Sequence, residues 1–292
     1  MRRGSYYLGR VHKFNLNQNQ LMDVIVNAPI IEKGAFDWTI TDVVDNRDQD
    51  FPYVFGKLSK YAKDGHVKVI DETSRLQVDS EAPNLLEASS PFVYLPEFSG
   101  ISFLHVWNGI QEEVFPRRFK SIIEAAFDNF FVGCDVEPIS DYMKFTTKLR
   151  KLDSFTEISA TVYPPNPLFG RLWGNLNEYI KERNASEVTV KEQGAKSTGL
   201  KSKVVELMSK ILEDSEYEPD FIPDIGDAVI LMAADGYGRG KVTGTAKGEE
   251  VIIKTSDTQK SFVFSKEPIA NELAIATKSQ FSKVSKERDM GH

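Results

Sequence analysis

The stretch that decides the fold is residues 161–185, TVYPPNPLFGRLWGNLNEYIKERNA, in which a short β-type run meets three prolines and then an amphipathic helix. The prolines, Pro164, Pro165 and Pro167, fix φ and remove backbone donors, so any sheet that the chain enters must end at Tyr163. Apolar residues between 168 and 180 then recur at helical spacing, and residues 185–194 resemble a strand. This order predicts a strand–helix–strand crossover with two parallel or nearly parallel strands.

Upstream of this corner the sequence favours strands. Alternation of apolar and polar residues, together with β-branched and aromatic content, predicts strands at 5–14, 36–45, 67–78, 91–98, 101–107, 136–145 and 157–163. Ser99-Gly100 is the expected hairpin turn between two of them. A broad apolar stripe predicts a helix over 115–131, a weaker pattern predicts a short helix over 54–63, and residues 79–91 read as a turn-rich connection.

Downstream of the corner, a second amphipathic helix is predicted over 199–214. Strand-like runs at 227–235, 238–246, 249–257 and 260–265, separated by turn residues, predict a small antiparallel meander. A terminal helix is expected over 267–281, with frayed residues after it. The predicted fold class is mixed α+β, with a sheet-and-helix region at 1–160 and the crossover and meander at 161–292.

Composition limits the class of protein. The chain has 292 residues with a formal net charge of −7, and its longest apolar runs are far shorter than the roughly 20 residues of a membrane span. Because Cys134 is the single cysteine, no internal disulfide or cysteine-rich zinc site is expected, and the thiol reads as a buried small hydrophobe. A reducing compartment, the cytoplasm, is the expected location.

The charge is unevenly distributed. Residues 211–235 carry eight carboxylates and no Lys or Arg, whereas residues 141–210 hold twelve Lys or Arg against eight Asp or Glu. Residues 236–286 hold nine against five. A basic face on this acidic protein is therefore one interpretation, and an ordinary solvated surface is the other.

Motifs for catalysis are absent from the sequence. It has no phosphate-binding loop, no dinucleotide fingerprint and no nucleophile elbow, and the four histidines are scattered singly, with His12 and His105 expected to be structural. We therefore expect no cofactor, no metal and no catalytic residues. The alternative is a metal-dependent nuclease whose site assembles from distant carboxylates such as Glu137, Asp141 and Glu250.

Binding to phosphates is the remaining chemistry. The candidate phosphate contacts are basic side chains in four groups: Arg117, Arg118 and Lys120; Lys148, Arg150 and Lys151; Lys196, Lys201 and Lys203; and Lys241, Lys247, Lys254 and Lys260. Lysine-rich contacts of this kind read the nucleic-acid backbone and not the bases.

Several of these segments resemble a known family. VYPPNPLFGRLWGNL, NASEVTVKEQG and LMAADGYGRGKVTGTAKGEEVIIKTSD are similar to the RexA-like phage-exclusion proteins and to related families of bacteria and prophages. The resemblance covers roughly residues 90–265 and lies in the order of elements more than in chemistry. It implies a homodimeric DNA-binding protein in abortive phage defence, with a membrane protein as a possible partner.

The leading hypothesis from the sequence is a non-catalytic, largely sequence-independent binder of double-stranded DNA that acts in phage exclusion. The nuclease effector is one alternative. A protein-interaction module is another, with the terminal helix at 268–281 as an exposed apolar contact surface for a membrane partner.

Overall fold

The computed structural model describes residues 2–128, 131–165, 169–214, 217–288 and 290–291. The helices of these residues are α1 (Gln18–Val26), α2 (Val114–Ala125), α3 (Tyr142–Leu149), α4 (Gly174–Glu182), α5 (Val204–Glu213), α6 (Ile225–Met232) and α7 (Ala270–Glu287). The strands are β1 (Arg3–Phe14), β2 (Ile31–Lys33), β3 (Phe36–Asp45), β4 (Val54–Asp71), β5 (Leu76–Leu95), β6 (Gly100–Leu104), β7 (Gly133–Pro138), β8 (Ser154–Val162), β9 (Phe169–Gly170), β10 (Val188–Gln193), β11 (Gly238–Ala246), β12 (Glu249–Lys254), β13 (Ser261–Ser265) and β14 (Met290–Gly291). The predicted mixed α+β class is confirmed.

The larger sheet has the strand order β13-β1-β6-β5-β4-β3-β2, and β7 also pairs with β1. Every pairing in it is antiparallel. The predicted strand at 36–45 is confirmed with the same bounds, since Trp38 and Ile40 alternate into the core while Thr39 and Thr41 face the other side. The predicted hairpin at Ser99-Gly100 is also confirmed, with Ser99 in the left-handed region at φ 43°.

Helices α1 and α2 cover one face of this sheet. The α2 residues Phe115, Phe119, Ile122 and Ile123 are fully buried, and the Phe115 ring stacks on Phe103 of β6 at 4.2 Å. Cys134 lies in the same core, as expected. The predicted helix at 115–131 is therefore confirmed through Ala125. It is wrong for residues 126–128, which form a turn, and Asn129 and Phe130 lie outside the described residues.

Three expectations in the first hundred residues are wrong. The strand expected over 67–78 is interrupted, because residues 72–75 form the turn between β4 and β5. Residues 54–63 form the start of β4 and not a helix, because the side chains of Val54 and Leu58 alternate onto the core face and Gly56 lies under the Phe92 ring. Residues 79–91 belong to β5 and not to a connection, since β4 and β5 pair from Val54 to the turn after Asp71. Long-range strand pairing overrides the local preferences of these lysine- and alanine-containing segments.

The smaller sheet has the order β10-β8-β11-β12 and is also antiparallel. The predicted strand at 238–246 is confirmed as β11. The one at 249–257 is confirmed only through Lys254 as β12, because a 3-10 helix follows over Thr255–Thr258. The expected parallel crossover is wrong: Val188 at the start of β10 pairs with Val162 at the end of β8, so α4 belongs to a wide antiparallel return. Of the proline corner, Asn166 and Pro167 lie outside the described residues, as does Leu168.

The rest of the expected meander differs as well. Residues 227–235 are helical and not a strand: residues 227–232 belong to α6, and a π-helix follows over Ala233–Tyr237. An uninterrupted apolar run fits a buried helix as well as a strand, and the residues from Gly226 to Met232 are all buried. Ile230 of this helix packs beneath Gly240 of β11. Strand β13 pairs with β1 of the larger sheet and not with the meander. Residues 136–145 divide at Pro138, after which Asp141 caps α3.

Helix α7 packs on the second face of the larger sheet. Its apolar stripe, Leu273, Ala274, Phe281 and Val284, is buried, and Phe281 stacks on Phe98 at 5.3 Å. The interaction surface expected at 268–281 is therefore wrong for this stripe, which faces the interior. The expected fraying is wrong as far as Arg288, because α7 continues to Glu287.

A buried carboxylate joins the two sheets to α7. Asp235 lies in the turn between α6 and β11 and accepts hydrogen bonds of 2.7 Å each from the Tyr142 hydroxyl, the Trp173 indole and the Arg288 guanidinium. Arg10 of β1 donates to the Asp235 carbonyl at 2.9 Å. The predicted division of the chain at 160/161 falls inside β8, and residues from both parts share this cluster.

Candidate nucleic-acid interface

The outward face of the smaller sheet carries a row of lysines. Cross-strand register places Lys191 of β10, Ser159 of β8, Lys241 of β11 and Lys254 of β12 side by side. Residues directly opposite each other in antiparallel strands point to the same face. The neighbouring positions, such as Ile158 and Val242, point to the opposite face and are buried, so the lysine row faces solvent.

Arg239 extends this row toward α2. It lies two residues before Lys241 in β11, and its guanidinium is 2.8 Å from Glu137 and 3.5 Å from Asp135 of β7. A cavity of about 220 Å³ lined in part by Arg117, Lys120 and Arg239 lies there. Lys120 reaches the same Asp135 at 2.8 Å. We call Arg117, Lys120, Lys191, Arg239, Lys241 and Lys254 the cationic face.

Carboxylates neutralise part of the cationic face. Glu157 of β8 lies between two lysines, 2.9 Å from Lys241 and 3.1 Å from Lys191. Hydrogen bonds from Lys241, Gln193 and Lys191 lower the pKa of Glu157 to about 2, so it stays charged at neutral pH. The other carboxylates that pair with these cations are Glu124, Asp135 and Glu137. With Glu157 they place four negative charges against the six cations of the cationic face, which leaves an excess of two positive charges.

The backbones that carry the cations are spaced on the scale of a nucleic-acid groove. Lys191 and Lys254 lie in the two outer strands of the sheet, so three interstrand spacings, about 14 Å, separate their backbones. Arg239 and Lys241 are two residues apart along β11, or about 7 Å. The major groove of B-DNA is about 12 Å wide between its phosphate rows.

Four other predicted contacts lie at the margin of the smaller sheet. Lys148 and Lys151 at the end of α3 line a cavity of about 320 Å³ beside β12, and the Lys148 ammonium donates to the Asp257 carbonyl at 3.2 Å. Lys196 is 4.0 Å from Glu250, and Lys247 is exposed in the β11–β12 turn with φ 53°.

The remaining predicted contacts are directed elsewhere. Arg118 lies over the Trp38 ring at 5.2 Å, and Arg150 donates to the Ser209 hydroxyl at 2.7 Å. Lys203 lies over the Phe221 ring at 3.6 Å, next to the exposed Lys201. Lys260 is 2.6 Å from Glu287.

Lys191 and Arg239 belong to the cationic face but are missing from the sequence-based set. Their signal is strand parity, since Arg239 and Lys241 alternate with the buried residues Gly240 and Val242 in the predicted strand 238–246. Lys191 likewise alternates with Val188 and Val190. Parity alone does not pair β10 with β8, however, so the position of Lys191 beside Lys241 depends on the fold.

The carboxylates of the nuclease alternative do not meet. Glu137 pairs with Arg239, Asp141 caps α3 by accepting from the Lys144 amide, and Glu250 lies near Lys196 on β12. Within the described residues, no group of three or more His, Cys, Asp or Glu side chains could hold a metal ion.

Fold and site together define a mixed α+β protein with a cationic sheet face. The chain belongs to the family described as Domain of unknown function (DUF4747), whose model matches residues 19–215. The match includes β8 and β10 but ends before β11 and β12, which carry half of the cationic face. Comparison with curated proteins finds no match. Over the described residues, the structure contains no helix that is both long and apolar enough to cross a bilayer.

Proposed function

We propose that the protein binds double-stranded DNA without catalysis and largely independently of sequence, through the cationic face. The observation that carries this proposal is the row Lys191, Lys241 and Lys254 on the solvent side of the smaller sheet. Ammonium groups on a sheet surface contact phosphates and release counterions, and they read no base edges.

The cations differ in how readily they can engage a phosphate. Within the described residues, Lys254 and Arg117 form no ion pair with a carboxylate, whereas Lys241 and Lys191 share Glu157. A phosphate must compete with Glu157 for the shared lysines, but Lys254 and Arg117 meet no such competitor. We therefore assign Lys254 the largest contribution per residue.

The biological role is proposed on the resemblance to the RexA-like proteins alone. It comprises phage exclusion, a homodimer and a possible membrane partner. A cytoplasmic location is proposed because Cys134 is the single cysteine and is fully buried.

Fluorescence anisotropy with a labelled duplex at low salt tests the proposal. The wild-type protein is expected to bind duplexes of unrelated sequence with similar affinity. Lys254→Glu should weaken binding about tenfold or more, since it replaces an attractive contact with a repulsive one. Lys68→Glu is the matched control, because Lys68 is also exposed but lies on the β4–β5 hairpin. No binding by the wild type, or equal losses in both variants, would refute the assignment.

A further inference from the structure

A second surface forms an open groove on the larger sheet, and it shares no residue with the cationic face. Helix α7 covers the part of this sheet face near β6, where the Ser102 and Thr277 hydroxyls lie 2.7 Å apart. The part formed by β3, β4 and β5 stays uncovered and bounds a cavity of about 930 Å³. That volume is within the range of small-molecule sites, about 300–1,000 Å³.

Four hydroxyl-bearing side chains line the groove, together with apolar ones such as Leu86 and Leu104. Thr39, Thr41, Ser59 and Ser89 line it from three neighbouring strands. The Thr41 and Ser59 hydroxyls lie 2.8 Å apart, and Thr39 donates to the Ala28 carbonyl at 3.3 Å. Ser89 is a half-buried residue of the groove, and its hydroxyl oxygen has no hydrogen-bond partner among the described residues. Because an unpaired buried hydroxyl is costly, this oxygen is suited to a bond with a bound molecule.

Trp107 lines the groove as an aromatic side chain that is 77% exposed. It lies in a tight loop closed by the Val106 amide, which donates to the Ile110 carbonyl at 2.9 Å, with Asn108 at φ 60°. The loop packs closely on β5, since a Cβ on Gly109 would lie 2.7 Å from Ala88. The His105 ring meets the indole edge-on at 4.6 Å. The fold therefore fixes a large aromatic surface that no other part of the described chain covers.

The charges in the groove balance. Lys57 is 2.6 Å from Asp42, and Lys266 is followed by Glu267. The groove thus lacks the excess of cations that a phosphate or carboxylate ligand requires. Its chemistry suits a neutral molecule that presents several hydroxyls to the hydroxyl-bearing side chains and one apolar face to an indole.

We propose that this groove binds a neutral saccharide, with Trp107 stacking on the apolar face of a sugar ring and Ser89 bonding to one of its hydroxyls. The proposal does not depend on DNA binding, because none of the groove residues belongs to the cationic face.

Tryptophan fluorescence offers a selective test. Trp38 and Trp173 are only 3% and 1% exposed, so acrylamide quenching reports mainly on Trp107. The full-length protein would be titrated with neutral gluco-, galacto-, manno- and N-acetylglucosamine oligosaccharides, and in parallel with nucleosides. A saturable decrease in quenching with at least one saccharide is the expected result. Protection by nucleosides alone, or by no member of either panel, would overturn the proposal.

Substitutions of groove residues test whether the saccharide binds in this groove. Calorimetry should show affinity for that saccharide reduced several-fold to about tenfold in Ser89→Ala, the effect of one lost hydrogen bond, and abolished in Trp107→Ala. Ser197→Ala, at an exposed serine outside the groove, is the control and should bind as the wild type does. Unchanged affinity in both groove variants would also overturn the proposal, and circular dichroism of each variant shows whether it has folded.

Discussion

Asp235 and Glu157 are both carboxylates held by several donors, but one lies in the interior and the other on the surface. Asp235 is almost fully buried and accepts from a tyrosine, a tryptophan and an arginine that come from three different parts of the chain. Glu157 lies on the outward face of the smaller sheet, and its partners Lys241, Gln193 and Lys191 lie on the two strands adjacent to β8. The carboxylate of the first cluster accepts three buried hydrogen bonds, and the second cluster leaves cations in excess.

The contrast separates a structural role from a binding role. A buried charge is strongly destabilising when its partner is removed, whereas exposed ion pairs contribute about 0–1 kcal/mol. Solvent already stabilises the lysines of the cationic face, so they can exchange Glu157 for a phosphate at low cost. Arg288 has no such alternative, and we therefore assign the Asp235 cluster to stability alone.

The largest effect is expected at Asp235. Asp235→Asn should lower the free energy of unfolding by about 3–5 kcal/mol, because it leaves the Arg288 guanidinium buried without its counter-charge. Urea denaturation measures the loss, and Asp220→Asn, at an exposed carboxylate, should change it by less than about 0.5 kcal/mol. If Asp235→Asn does not fold, Tyr142→Phe provides a milder test at about 1 kcal/mol. If Asp235→Asn lowers the free energy of unfolding by less than about 1 kcal/mol, the structural assignment is contradicted.

A smaller effect, dependent on pH, is expected at His12. Burial lowers the pKa of His12 from 6.5 to about 4, and its Nε2 lies 2.7 Å from the Gly236 carbonyl. Between these values the unfolded chain takes up a proton that the folded chain does not, so stability should fall as the pH decreases from 6.5 to 4. The total contribution is about 3 kcal/mol.

His12→Gln should flatten this part of the stability curve in urea denaturation at several pH values. His66→Gln, at an exposed histidine, should leave it unchanged. A slope equal in the wild type and in His12→Gln would show that His12 does not titrate as its burial requires.

The smallest effect is expected at Glu157. Glu157→Gln removes a negative charge from the cationic face, so duplex DNA should bind roughly two- to fivefold more tightly at low salt. The same pairing affects stability. Because the pKa of Glu157 is lowered from 4.5 to about 2, its ion pairs contribute stability above pH 4.5 that is lost as the pH falls toward 2.

For the DNA-binding prediction, Glu213→Gln, at an exposed carboxylate on α5, is the control and should leave DNA affinity unchanged. Weaker binding by Glu157→Gln would contradict the proposed interface.

The sequence predicted the fold well in segments whose apolar residues recur at a regular spacing. The strands at 36–45 and 238–246 and the stripe of α2 were recovered because alternation or helical spacing fixes both type and face. Residues 54–63 and 227–235 failed because their form depends on partners distant in sequence: β3 and β5 for the first, and the smaller sheet for the second. The direction of β10 also depends on such pairing.

In the candidate site, too, local patterns predict neighbours along the chain, whereas contacts between distant segments depend on the fold. Lys241 and Lys254 are adjacent because a short turn joins β11 to β12, which sequence patterns can anticipate. Lys191 and Arg239 join them only through the register of β8 with β10 and β11. The burial of Asp235 has no sequence signal, since the partners of its carboxylate lie between 53 and 93 residues away.

The salt dependence of DNA binding tests the central claim most directly. The slope of log affinity against log salt would be measured for the wild type and for a variant with Lys191, Lys241 and Lys254 each changed to Gln. Each phosphate contact contributes about 0.9 to the slope, so the variant should lose about 2–3 from its magnitude. An unchanged slope, with the variant folded, would show that the outward face of the smaller sheet does not contact DNA.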